Sequence, residues 1–278
     1  MYPVFQFAIV TYILSAVVYG ILLLASACTC LVRRSRSFSC MALLIIACIG
    51  GIIGRSVSVT APMDDRDTLY VYPSFILVVY FFDYIHLWAL YLLPVIIIHQ
   101  LRKSSSDVRF SKVILYLGYG CILLGFILLI TAEAIAGRIN ATMGVGYNTT
   151  ETMVLDDDFR KDLLTMTKTY ANVSEASYLI LWFHAFSFFF ICLSGRSLGL
   201  NAFGSFVTYN LLMILPLIIQ TVELALYTNN PTPVFHEGIV YANFFLYDVA
   251  IFFAVVVALF RSHLWVHPKE IHQRQSSV

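Results

Sequence analysis

Polar residues interrupt this chain only at long intervals. The apolar runs between them lie at about 4–32, 38–59, 71–100, 113–136, 175–194, 203–227 and 236–260. Each is near or above the roughly 20 residues that a helix needs to cross a bilayer. The pattern therefore predicts seven membrane-spanning helices, a long connection at 137–174 and a polar tail at 261–278. Within the long connection, the segment VLDDDFRKDLLTMTK at 154–168 pairs a capping aspartate with spaced apolar residues and predicts a short helix. Pro94 and Pro216 fall inside the third and sixth helices, where each removes a backbone hydrogen bond and predicts a kink.

Composition agrees with the pattern. Hydrophobic residues make up 60% of the 278 and charged residues 12%, against about 25% charged in soluble domains. One soluble core of this length could not hide so many Phe, Leu, Ile and Val. The expected fold class is all-α, a single integral membrane bundle over 1–278, in the plasma membrane or an endomembrane. A net charge of +1 suggests no nucleic-acid partner. The first run has no basic segment before it and is too long for a signal peptide.

Charge sets the orientation. With the N-terminus outside, the inner segments hold eleven basic residues, among them Arg33, Arg34, Arg36, Arg102 and Lys103, against Asp107 and Glu270. The outer segments, with Arg55 and Glu175 at the adjoining helix ends, hold six basic residues against nine acids. This follows the positive-inside rule and places the C-terminus in the cytosol. Three glycosylation sequons, at Asn140, Asn148 and Asn172, all fall on the outer side. Asn140 and Asn148 are the expected acceptors, and Asn172 lies too near the fifth helix. The six cysteines avoid the outer loops, so no extracellular disulfide is expected.

The candidate chemistry lies in the few ionisable residues within the runs, which are costly there and face the bundle interior. FFDYIHLW at 81–88 carries Asp83 and, one turn on, His86. At about 1.5 Å per residue, Asp83, His86, His184 and Asp248 lie near mid-membrane, with Asn210 and Asn243 close by. Arg55, Glu133, Glu223 and Glu237 form an expected outer layer, in which Arg55 should pair with Glu223 or Glu237. Taken singly, each of these residues could serve only to join helices by hydrogen bonds. As a set, acids from several helices with one arginine point to an outward-facing polar cavity.

Several chemistries are disfavoured. The seventh run has no lysine to form a retinal Schiff base. No P-loop is present, and no cofactor is expected. A zinc site from Asp83, His86, His184 and Asp248 would need four helices to converge. An acid–base pair of Asp83 and Asp248 is a second enzymatic option, but no catalytic residue is assigned. The inner end of the third helix reads HQLRK, and the seventh lacks Asn-Pro-x-x-Tyr, so the chain does not resemble rhodopsin-like receptors.

Short motifs resemble the fungal lipid-translocating-exporter-like family of seven-helix proteins. They are IGGIIGR ending at Arg55, Glu223 of TVELAL, HEG with Glu237, LYD with Asp248, and His267–Pro268. Gln220 stands where that family has an arginine. The resemblance implies handling of sphingoid bases, other amphiphilic lipids or hydrophobic toxins. The expected function is binding or translocation of a lipid or amphiphile, with membrane lipids and an amphiphilic small molecule as partners. A receptor for an extracellular ligand is the alternative, and a membrane-embedded enzyme a third.

Overall fold

The computed structural model describes residues 3–32, 38–60, 73–104, 112–147, 157–193, 203–229 and 237–265, together with most of their side chains. These segments are α1 (Pro3–Val32), α2 (Phe38–Thr60), α3 (Pro73–Ser104), α4 (Lys112–Tyr147) and α5 (Asp157–Leu193), then α6 (Phe203–Leu212) and α7 (Ile214–Asn229), then α8 (Glu237–Asn243), a π-helical segment (Phe244–Val249) and α9 (Ala250–Trp265). No strand occurs among the described residues. Seven helical stretches are long and apolar enough to cross a membrane. Large side chains such as Leu24, Leu31, Tyr116, Leu179 and Phe260 stand exposed on the bundle surface, which suits a bilayer rather than water. The protein is an integral, multi-pass membrane bundle.

The expected loop 137–174 is corrected by the structure. Helix α4 continues to Tyr147 and α5 already begins at Asp157. The short helix expected within that loop is the first part of α5. Each of the two helices is about 55 Å long at 1.5 Å per residue, against a hydrocarbon core of about 30 Å. Their joined ends therefore stand out of the bilayer as a helical pair.

The sixth and seventh spans are both interrupted. The turn at Met213 separates α6 from α7, three residues before Pro216. The seventh span widens into the π segment at 244–249, where Tyr247 and Asp248 sit. The core runs through α2, α3, α6 and α9, with Leu44, Leu90, Leu93, Phe206 and Trp265 fully buried.

Pro94 leaves a helical carbonyl in need of a partner, and a tyrosine supplies it. Pro94 has no N–H for the carbonyl of Leu90, four residues earlier. The Tyr209 hydroxyl of α6 donates to that carbonyl at 2.7 Å. In return, the Tyr91 hydroxyl of α3 donates at 2.8 Å to the carbonyl of Met213, the turn residue between α6 and α7. The proline-bearing stretches of the third and sixth spans are thus tied to each other.

Candidate functional site

Close packing begins with the glycines of IGGIIGR. A Cβ on Gly50 would lie 2.9 Å from the Phe82 carbonyl oxygen and 3.1 Å from the His86 nitrogen. One on Gly51 would strike the Tyr19 ring at 2.8 Å, and one on Gly54 would meet Asp83 Oδ1 at 2.8 Å. Glycine at these three positions lets α1 and α3 approach α2 closely, as small residues do between membrane helices. Arg55, the next residue, is thereby brought beside Asp83.

Arg55 is only 8% exposed. Its Nη2 lies 2.7 Å from Asp248 Oδ1, and its Nε donates to the same oxygen at 3.0 Å. Its Nη1 reaches Asp83 Oδ2 at 3.5 Å. The rings of Tyr12 and Tyr247 flank the guanidinium, with centres 5.4 and 5.1 Å from Cζ, within cation–π range. Four spans therefore converge on one cation. Two carboxylates face it, so the cluster carries one acid in excess. Asp83 Oδ1 and the Tyr19 and Tyr247 hydroxyls are buried without hydrogen-bond partners among the described residues. The π segment widens the seventh span where Asp248 must meet Arg55, and such segments recur at functional sites.

This geometry corrects the expected layering. Arg55 does not belong to a separate outer layer, and among the described residues its ion-pair partners are Asp83 and Asp248 rather than Glu223. Glu223 instead accepts a hydrogen bond from Asn243 Nδ2 at 3.2 Å. The side chains of Glu237 and Asn140, and the whole of Asn148, lie outside the described residues.

The histidines do not join the carboxylates. His86 Nδ1 bonds the Ala47 carbonyl of α2, and its ring packs edge-on against Tyr19. His184 Nε2 donates to the Tyr91 carbonyl at 3.2 Å, three residues before Pro94. Both therefore join helices through backbone carbonyls. Asn210 likewise turns inward to its own helix, donating to the Phe206 carbonyl. Among the described residues, no three His, Cys, Asp or Glu side chains gather as a metal ion would need.

A second polar group lies beside the first. Glu133 Oε1 accepts the Tyr84 hydroxyl at 2.9 Å. The tyrosines of both groups escape a hydropathy reading, because tyrosine counts among the apolar residues. The small residues at 50 and 54 were the available signal for the close approach, and Pro94 for the carbonyl that Tyr209 serves. Compared with protein-family models, curated proteins and solved structures, the chain matches none.

Proposed function

We propose that this protein binds or translocates an amphiphile through the half of the bundle in which α1 begins, and that the Arg55 cluster is the element that responds. The excess acid around Arg55 carries this reading. Two aspartates from different spans hold one guanidinium against a widened stretch of helix, where a purely structural pair would need one carboxylate. An ionic cluster inside a membrane is costly, and in spanning proteins such groups mark ligand and ion pathways. Two of the short motifs that resemble the lipid-translocating-exporter-like family end on the same residues, Arg55 and Asp248. On the expected topology this half faces outward, so the ligand would enter from the outer side or the outer leaflet.

The test compares cells expressing wild type and Asp83→Asn at matched membrane levels, challenged with toxic long-chain amphiphiles. Wild type should raise tolerance, and Asp83→Asn should abolish most of the gain while the protein stays folded. The amide keeps the shape of the side chain and one acceptor oxygen for Arg55 while removing the charge. Equal tolerance from both forms would make the carboxylate structural. No gain from wild type would shift the reading to a receptor for an outer ligand.

A further inference from the structure

The buried polar atoms near Arg55 that lack a partner continue in a line away from it. Besides Asp83 Oδ1 and the Tyr19 and Tyr247 hydroxyls, His86 Nε2, Ser26 Oγ and Ser262 Oγ are buried without hydrogen-bond partners among the described residues. On α1, Tyr12, Tyr19 and Ser26 recur every seven residues, so they share one helix face at two-turn intervals. Tyr12 lies against Arg55, and Tyr19 against His86 with ring centres 4.9 Å apart. Ser26 follows, fully buried. The seventh span, which packs against α1, repeats the spacing. Asp248 bonds Arg55, and fourteen residues later comes Ser262, also fully buried. Ser26 likewise stands fourteen residues beyond Tyr12. That is about 21 Å of helix, against a hydrocarbon core of about 30 Å. Both serines therefore lie at a matching depth beyond the Arg55 cluster, toward the opposite face of the membrane.

A buried polar atom without a partner is costly, and water or an ion is its ordinary complement. These atoms suit a proton. Asp83 and Asp248 bring two negative charges to the single positive charge of Arg55, so one added proton leaves the cluster neutral. Asp83 Oδ1 is the oxygen that Arg55 does not bond. His86 Nδ1 must donate to the Ala47 carbonyl, which leaves its Nε2 as an acceptor. Each hydroxyl along the line can accept one hydrogen bond and donate another. The charged or titratable groups facing Asp83 are Arg55 of α2, Tyr12 and Tyr19 of α1, and Tyr247 and Asp248 of the seventh span. Beyond these, Cys48 of α2 faces Tyr19, Glu223 of α7 faces Tyr12, and Glu133 of α4 is bonded to Tyr84.

We infer that protons cross the bundle along this seam, with Asp83 as the site that takes them up and Tyr19, His86, Ser26 and Ser262 lining the way onward. A proton from water on the Arg55 side bonds to Asp83 Oδ1 and weakens the contact with Arg55 Nη1, which leaves Arg55 paired with Asp248. It passes through hydrogen-bonded water to His86 Nε2, leaves from that same nitrogen past the two serines, and Asp83 returns to the carboxylate. Chains of carboxylate and histidine serve as proton relays in spanning proteins. This activity needs no amphiphile and does not rest on the function proposed above.

The experiment reconstitutes the full chain in liposomes loaded with a pH-sensitive dye. Potassium and valinomycin clamp the potential, and the lumen is followed after an external acid step. Wild type should acidify the lumen several-fold faster than protein-free liposomes, and Asp83→Asn should fall to the protein-free rate. Tyr19→Phe removes only a hydroxyl that has no partner among the described residues. It should therefore keep the melting temperature while slowing proton entry several-fold. Tyr116→Phe, exposed on the bundle surface, should match wild type. Equal rates from wild type and protein-free liposomes would overturn the path, as would a wild-type rate in Asp83→Asn. Should Asp83→Asn fail to fold, Tyr19→Phe decides, and an unchanged rate there overturns the proposal. Amphiphile tolerance in cells is a separate readout, so failure here leaves the function proposed above standing.

Discussion

At the scale of residues, the bonds to Arg55 are unequal. Asp248 Oδ1 receives two nitrogens, at 2.7 and 3.0 Å, whereas Asp83 meets one at 3.5 Å. Asp248→Asn should therefore cost more stability than Asp83→Asn. Breaking a buried pair from one side typically costs about 3–5 kcal/mol, and the loss at Asp248 should approach that range. Thermal unfolding in detergent would rank the two, and a larger loss at Asp83 would contradict the geometry. The glycine beside them makes a separate prediction. Gly54→Ala places a methyl 2.8 Å from Asp83 Oδ1, so the carboxylate must swing away from Arg55. A loss of about 1–3 kcal/mol is expected from such overpacking. Gly20→Ala meets no atom within 4 Å and should leave the melting temperature unchanged or slightly raised.

At the scale of elements, the paired proline-bearing stretches invite a mutant cycle. Tyr209→Phe removes the donor that serves the Leu90 carbonyl. Hydrogen bonds inside membranes average about 0.6 kcal/mol and reach about 1.7, and a loss toward the upper figure is expected because the carbonyl is left unpaired. Pro94→Ala restores an N–H in register for that same carbonyl. In the Pro94→Ala background, Tyr209→Phe should then be nearly silent. Unfolding measurements on the two single variants and the double variant yield the coupling, and additive losses would show that the tyrosine does not compensate for the proline. Tyr91 provides the reciprocal bond to Met213. The third and sixth spans are therefore expected to move together, because shifting one of these stretches strands a donor of the other.

For the whole molecule, the length of α4 and α5 becomes a statement about topology. Lys161, Asp162, Thr165 and Lys168 stand exposed on the part of α5 that projects from the bilayer. With the N-terminus outside, that part faces the exterior. A membrane-impermeant maleimide should label Lys161→Cys in intact cells above the wild-type background. Asn148→Gln should remove a glycosidase-sensitive mobility shift. Labelling of Lys161→Cys only after permeabilisation would reverse the orientation.

Much of this architecture is written in the chain itself. Seven spans follow from the sequence because a backbone crossing lipid must be helical and sheathed in apolar side chains, and little else satisfies both demands. The rarity of charge inside those spans also singled out Arg55, Asp83 and Asp248, which the fold brings together. The projecting ends of α4 and α5 were not legible, since a helix in water need not be apolar all round and 137–174 reads as a polar loop. Partner choice was not legible either. Counting residues along each helix gives a depth, but not how far a guanidinium reaches or which way a carboxylate faces. Those were decided by Gly50, Gly51 and Gly54 drawing α1 and α3 onto α2, and by the π segment at Asp248. Tyr84 and Tyr247 read as apolar filler until the spans were packed. Pairing is a property of distances between helices, and only tertiary contact sets those distances.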